Sequence, residues 1–299
     1  MPVLRALRSA AILCAVAGVA GAQPPRFDGN AALAYARAQV EFGPRVPGTD
    51  AARRAGDWIV DRMRERADTV IVQSWTHETM DGRRLPLRNI FAQFRPDVAD
   101  RVLYVVHWDT RPVADGEWDG ELRNEPSPGA NDGASGVGLL VALADILKLV
   151  PPERGVDLLF TDGEDYGSFG TNTDVVIGAE YFARNLPRPG YRPTFGVVWD
   201  MIGDADLRVL QEQHSQRVAP EIVERVWTTA ARLGYAKHFA ASTGYQVTDD
   251  HLPLQRAGMR VIEVIDLDYA HHHRHADTID KVSAESLRIV GEVALALLR

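Results

Sequence analysis

The sequence predicts an α/β fold, a three-layer α/β/α arrangement built as one domain. Two observations predict it. Segments of helical period alternate with short, β-branched apolar runs from residue 30 to the end of the chain, the pattern of a layered sheet flanked by helices. Acidic and imidazole side chains recur at the ends of those runs, and strand ends on one side of an open α/β sheet are where such folds place their sites.

The first 22 residues stand apart from this pattern. "MPVLRALR" is a short basic region, "SAAILCAVAGVA" an apolar one, and "AGA" before Gln23 fits small-residue cleavage. The apolar run is too short for a comfortable membrane span. We expect a signal peptide over residues 1–22, cleavage after Ala22, an exported (periplasmic or secreted) chain with no membrane attachment after cleavage, and a single catalytic domain over 23–299. Cys14 is the only cysteine and would leave with the signal, so the remaining chain has no disulfide or thiol chemistry. A net charge of −8 argues against nucleic acid or an anionic membrane as partner.

The elements follow in order. "NAALAYARAQVEF" and "TDAARRAGDWIVDRMRER" have helical spacing, with Thr49 or Asp50 as N-cap of the second. "TVIVQSW", "NIFAQF" and "RVLYVVH" read as strands, the last an almost continuous apolar run suited to a buried central position. A polar loop covers roughly 108 to 131. A helix then runs from Gly133 to about Val150, with Val137, Leu140, Val141, Ala144 and Leu147 on one face. Strand "VDLLFT", a glycine-rich loop, helix "GAEYFARNL" and strand "FGVVWD" come next. Helix "EIVERVWTTAARLG" ends near Gly234, "MRVIEVID" is a strand, and "SAESLRIVGEVALALL" a closing amphipathic helix.

Chemistry concentrates at five places. Asp132 lies among glycines in "GANDGASG", just before a helix. As an N-cap it would be ordinary, but a cap does not require Gly129, Gly133 and Gly136 around it. "TDGEDYG" sets Asp162, Glu164 and Asp165 after a buried strand. Acids so crowded at a crevice call for a cation, and neighbouring side chains point different ways, so Asp165 can bind metal while Glu164 serves as a base. His107 and Asp109 form "HWD", where the Asp can orient the imidazole from behind. Asp200 ends "FGVVWD", where an unpaired carboxylate would be costly; metal ligation or a buried hydrogen-bond network each answers that cost. In "HHHRHADT" at most one of His271, His272, His273 and His275 need be a ligand, and spacing alone does not choose. Carboxylates and imidazoles together are the donors of a Zn²⁺ site that keeps a position open for chemistry.

These motifs, in this order, resemble the clan MH zinc exopeptidases, which include bacterial aminopeptidases and glutaminyl cyclases. The likeness is carried by H-x-D at His107, N-D-G-x-S-G at Asn131, D-G-E-D at Asp162, the strand-end Asp200 and H-x-x-x-D-T at His273, and extends from "FGPRVPGT" to the terminal helix. It implies a mixed, mostly parallel sheet. It implies that Asp132 bridges metals, that Asp165 and His273 complete a first metal site, that His107 and Asp200 serve a second, and that Glu164 is the general acid/base. Asp277 sets the register that selects His273. Aminopeptidases usually carry Glu-Glu where this chain has Glu164-Asp165, and Ser-Asp-His where it has Asp249, Asp250 and His251. "DDH-x-P" and "GPRVPGT" are similar to the cyclases, in which an Asp of that motif joins the strand-end Asp and the catalytic Glu; Asp250 is taken for that role. Where cyclases have Trp before the zinc histidine, this chain has His272.

The resemblance implies action on the N-termini of peptides or proteins. Two enzymatic readings follow: a one-zinc glutaminyl-peptide cyclotransferase, or a two-zinc aminopeptidase. A non-catalytic metal-containing binding protein is the third, and the presence of Glu164 argues against it, because binding needs no base.

Overall fold

The structure is a computed structural model and describes residues 25–299; the targeting segment expected over residues 1–22 lies outside them. Helix α1 (Gly29–Val40) begins where the Asp28 carboxylate accepts from the amides of Asn30 and Ala31, satisfying donors that the first turn leaves unpaired. Helix α2 (Asp50–Arg64) is capped by Thr49, whose hydroxyl oxygen accepts from Ala52 N, and it buries Ala52, Ala55, Ile59 and Met63. Strands β1 (Thr69–Glu78) and β2 (Arg84–Phe94) pair antiparallel. Strand β3 (Arg101–His107) is buried at every residue, as its apolar run predicts. Helix α3 (Ala134–Leu149), strand β4 (Gly155–Thr161), helix α4 (Ile177–Arg184) and strand β5 (Phe195–Asp200) continue the alternation.

Beyond β5 come strand β6 (Val209–Gln211), helices α5 (Gln213–Val218) and α6 (Pro220–Arg232), strand β7 (Phe239–Thr243) and helix α7 (His251–Arg256). Strand β8 (Val261–Ile265) and helix α8 (Ala284–Ala296) end the fold. Of these, β6, α5, β7 and α7 escape the sequence reading. They are 3 to 6 residues long, too short for a period to register. β6 and β7 form a small sheet of their own.

The main sheet has the order β1-β2-β4-β3-β5-β8. β4, β3, β5 and β8 run parallel, and β2 is antiparallel to both neighbours. The sheet is therefore mixed and mostly parallel. On one face Val102, Tyr104 and Val106 pack with α1, α2, α3, α6 and α8; on the other Leu103 and Val105 pack with α4 and α7. Within the sheet, the fully buried Arg101 and Asp157 pair between β3 and β4, and Tyr191 and Gln93 also donate to Asp157. That satisfies a carboxylate which unpaired would be expensive.

Strand order places the crevice. The chain steps from β3 to β4 on one side, then returns to lay β5 on the other side of β3. Where strand order reverses, the connections leave in opposite directions and open a gap above the strand ends. His107, Thr161 and Asp200 are the last residues of the three strands that meet there.

Candidate metal centre

His107 ends β3 with its ring almost wholly buried. Its Nε2 lies 3.1 Å from Asp132 Oδ1 and 3.0 Å from Asp200 Oδ1. Its Nδ1 is 3.6 Å from Asp109 Oδ1. Asp109 does more than stand behind the imidazole: its two oxygens accept from the amides of Glu164 and Asp165, 3.1 Å each. One buried carboxylate thereby ties the loop after β4 to the loop after β3.

Asp132 is not the cap of α3. That position belongs to Gly133, and no side chain caps this helix. Gly133 has φ +95°, and a Cβ there would lie 2.7 Å from the carbonyl oxygen of Asp109, so glycine is required both by its backbone angle and by the close approach. The loop is clamped from outside. The fully buried Arg45 donates to the carbonyls of Pro128 and Gly129, and Asp277 accepts from the amides of Asn131 and Asp132. Held this way, Asp132 presents Oδ1 to His107 and Oδ2 to His273 Nε2, the latter at 3.7 Å.

His273 completes the other side. It adopts φ +55°, a left-handed conformation that side chains other than glycine seldom take, and one that clusters at functional sites. Its Nε2 is 3.2 Å from Asp165 Oδ1, and its Nδ1 is 3.0 Å from Asp115 Oδ1. Of the other candidates, His275 is drawn off: its amide donates to Glu117 and its ring lies 3.1 Å from Leu122 O. His271 packs on Tyr269. His272 lines the cavity, its ring 3.8 Å from that of His273.

Two groups of donors result. His107, Asp132 and Asp200 converge on one point; Asp132, His272 and His273 converge on another. Asp165 reaches the second through His273, while its Oδ1 also receives Arg111 Nη1 at 2.9 Å. Arg111 and Asp115 were missed in the sequence, although "HWDTRPVAD" places both just past the His107 motif. A divalent cation fits the donors present. Asp132 Oδ2 and Asp165 Oδ2 are buried without a hydrogen-bond partner, which native proteins rarely tolerate, and oxygen with imidazole nitrogen is a zinc donor set.

Glu164, Asp132, Asp200, Asp249, His272 and His273 line a cavity of about 330 Å³, with Phe169, Val247 and Leu267 among its apolar walls. Glu164 is buried, its Oε2 4.0 Å from His107 Nδ1. Burial first, then the charge of Asp249, pushes its pKa well up, with Asp165 and Asp250 adding and His107 opposing. The two members of the pair Asp249-Asp250 take different positions. Asp249 is the one that lines the cavity. Asp250 is fully buried and accepts the hydroxyl of Thr161; burial raises its pKa to about 7, against the lowering effect of that bond. The two acids stand at the start of the short helix α7, and which of them faces the cavity depends on how that helix begins. Behind Asp249 lies a further buried group, His251 and Glu263 with Asp249 itself.

Comparison with known proteins bears on this geometry. The model of peptidase family M28 matches residues 89–298. The chain is similar to the Bacteroides thetaiotaomicron glutaminyl cyclase bound to N-acetylhistamine, with 35% identity, 92% of this chain and 98% of that one covered, and a TM-score of 0.88. It is similar to a leucine aminopeptidase precursor from the same organism, with 35% identity, the same coverage and a TM-score of 0.89. Among curated proteins it is similar to the alkaline phosphatase isozyme conversion protein of Escherichia coli, 28% identical over 152 residues and 48% of this chain. The chain spans 44% of the length of that relative. With the family match extending over most of the chain and the donor groups in place at the strand ends, the chain belongs to peptidase family M28.

Proposed function

We propose that this chain is a zinc-dependent glutaminyl-peptide cyclotransferase, converting an N-terminal Gln of a peptide or protein to pyroglutamate with release of ammonia. The observation that carries this reading is Glu164, a buried carboxyl at the cavity wall with Asp249 and Asp200 lining the same cavity. Asp132, Asp165 and His273 would hold one zinc ion. When bound, zinc supplies Lewis acidity toward the carbonyl oxygen of the substrate's γ-carboxamide.

The residues of the chain carry the rest. The cavity is small and lined by four carboxylates, which suits a free α-amine and a short side chain folded back upon it. As the amine nitrogen bonds to the carbonyl carbon of the γ-carboxamide, the Glu164 carboxylate takes one of its protons. The same proton passes to the departing amide nitrogen as the C–N bond breaks, and ammonia leaves. A carboxyl whose pKa is raised by burial serves both directions. Asp249 beside Glu164 keeps that carboxyl basic, since close carboxylates resist joint ionisation. Phe169, Val247 and Leu267 limit water at the reacting bond. Export by the N-terminal segment is part of the same proposal; among the described residues no helix is long and apolar enough to cross a membrane.

A second reading has its own support. Asp132 offers one oxygen to each donor group, as a carboxylate bridging two metals would, and that favours a two-zinc aminopeptidase in which Glu164 takes a proton from water. Ammonia release from a Gln-initiated peptide separates the two. Zinc-loaded protein should release it and chelator-treated protein should not; no ammonia from either would refute the cyclase reading.

A further inference from the structure

Arg111 lies in the polar loop after β3, 4% exposed, and no lining residue of the cavity is drawn from it or from Asp115. Its guanidinium is nonetheless spent on the site. Nε and Nη2 take the two oxygens of Asp115 at 2.7 and 2.6 Å, the parallel geometry in which a guanidinium grips a carboxylate. Nη1 takes Asp165 Oδ1 at 2.9 Å. Asp115 Oδ1 in turn lies 3.0 Å from His273 Nδ1, and His273 Nε2 lies 3.2 Å from Asp165 Oδ1. The four side chains thus close a ring: Asp165, Arg111, Asp115, His273. The backbone reinforces it, because Gly116 N donates to His273 O at 3.0 Å and a Cβ on Gly116 would lie 2.6 Å from His272 O.

We propose that Arg111 and Asp115 are positioning residues for the zinc ligands His273 and Asp165, a proposal that rests on the metal reading above. Asp115 accepts the proton of His273 Nδ1, which would leave the Nε2 lone pair free for a cation held with Asp132 and Asp165. The bond made by one imidazole nitrogen decides which nitrogen is free to ligate, and the carboxylate raises its basicity as a donor. Arg111 occupies one oxygen of Asp165 and leaves Oδ2, which has no other partner, as the ligating atom. It also offsets negative charge where Asp115 and Asp165 lie close together. Lysine could supply the charge but not the fork that holds two carboxylates at once.

The test is zinc affinity of the full chain, measured by competition with a chromophoric chelator, with the visible spectrum of the cobalt-substituted protein as a second readout. His273→Ala is the reference for loss of a ligand. Asp115→Ala should weaken zinc binding about 10- to 100-fold, the usual effect of removing such a partner, and shift the cobalt bands. Arg111→Lys, which keeps the charge and is the gentler change, should also shift the bands and weaken zinc. KM of Asp115→Ala at saturating zinc should stay near that of the parent, since Asp115 does not line the cavity. Asp115→Asn, which retains an acceptor for Nδ1, should recover part of the affinity lost in Asp115→Ala; equal loss in both would count against the bond to His273. If zinc binds the parent tightly and His273→Ala weakens it, while Asp115→Ala and Arg111→Lys keep parental affinity and spectrum, the positioning role is wrong and the metal site stands. If the parent itself takes up no zinc, the metal site and this proposal fall together.

Discussion

Glu164 is the residue on which the proposed chemistry turns, and its burial at the cavity wall accords with the sequence. Three acids after a buried strand have few structural uses, and the amides of Glu164 and Asp165 are bound by Asp109, which fixes the loop that carries both side chains. Glu164→Gln keeps the shape and removes proton acceptance. Turnover should fall about 10²-fold or more, the scale of general acid–base catalysis, with zinc content unchanged; near-parental turnover would make Glu164 a structural acid. His272 is also testable. It lies beside His273 on the cavity wall, where the resembling cyclases have Trp. His272→Trp should lower KM for a Gln-initiated peptide while zinc content holds. A loss of zinc instead would assign His272 to the ligand set, which its convergence with Asp132 and His273 makes a real alternative. What the residues did not disclose was pairing at a distance: Arg111 reads as a surface arginine until the loop that carries it is folded over Asp165.

At the scale of the element, the site is a set of strand ends and the loops that follow them. Long apolar runs gave away β3, β4, β5 and β8, and the candidate ligands His107 and Asp200 could be read at the ends of β3 and β5 because a strand buried on both faces must stop where polarity begins. The turn into α3 is the sharpest local requirement. Gly133 sits at φ +95° with Asp109 O in the path of any Cβ. Gly133→Ala should therefore cost roughly 1–3 kcal/mol in stability, as a residue forced into a poor backbone region does. It should also displace Asp132 and weaken zinc. Thermal unfolding and zinc titration of the variant check both; parental stability would mean that the loop rearranges freely. In the region from β6 to α7, the elements β6, α5, β7 and α7 stayed illegible for a physical reason. These elements are short and are stabilised by packing against α6 and β8, contacts that leave no period in the sequence. That is also why the sequence alone does not show that Asp249 lines the cavity.

Across the whole molecule, alternation of helix and strand was enough to predict three layers, and the motif order was enough to predict a mixed, mostly parallel sheet. Strand order was not legible from local pattern, because β4 and β5 are equally apolar and either could lie on a given side of β3. That order is what gathers His107, Asp200 and the loop after β4 into one crevice. The crevice holds several buried carboxylates, among them Asp132, Asp165, Asp200 and Asp249, so a bound cation should stabilise the whole domain. At free zinc a thousandfold above its Kd the gain is about 4 kcal/mol, and chelation should lower the unfolding midpoint; a midpoint indifferent to zinc would contradict a metal centre in the native state. The central claim is that this centre, with Glu164, closes an N-terminal Gln on itself. The direct measurement is the mass of a Gln-initiated peptide after incubation with zinc-loaded protein. The account predicts a product lighter by one ammonia, with one equivalent of zinc sufficient for full activity. Loss of the entire N-terminal residue as free amino acid, with two equivalents required, would contradict it and make the chain an aminopeptidase.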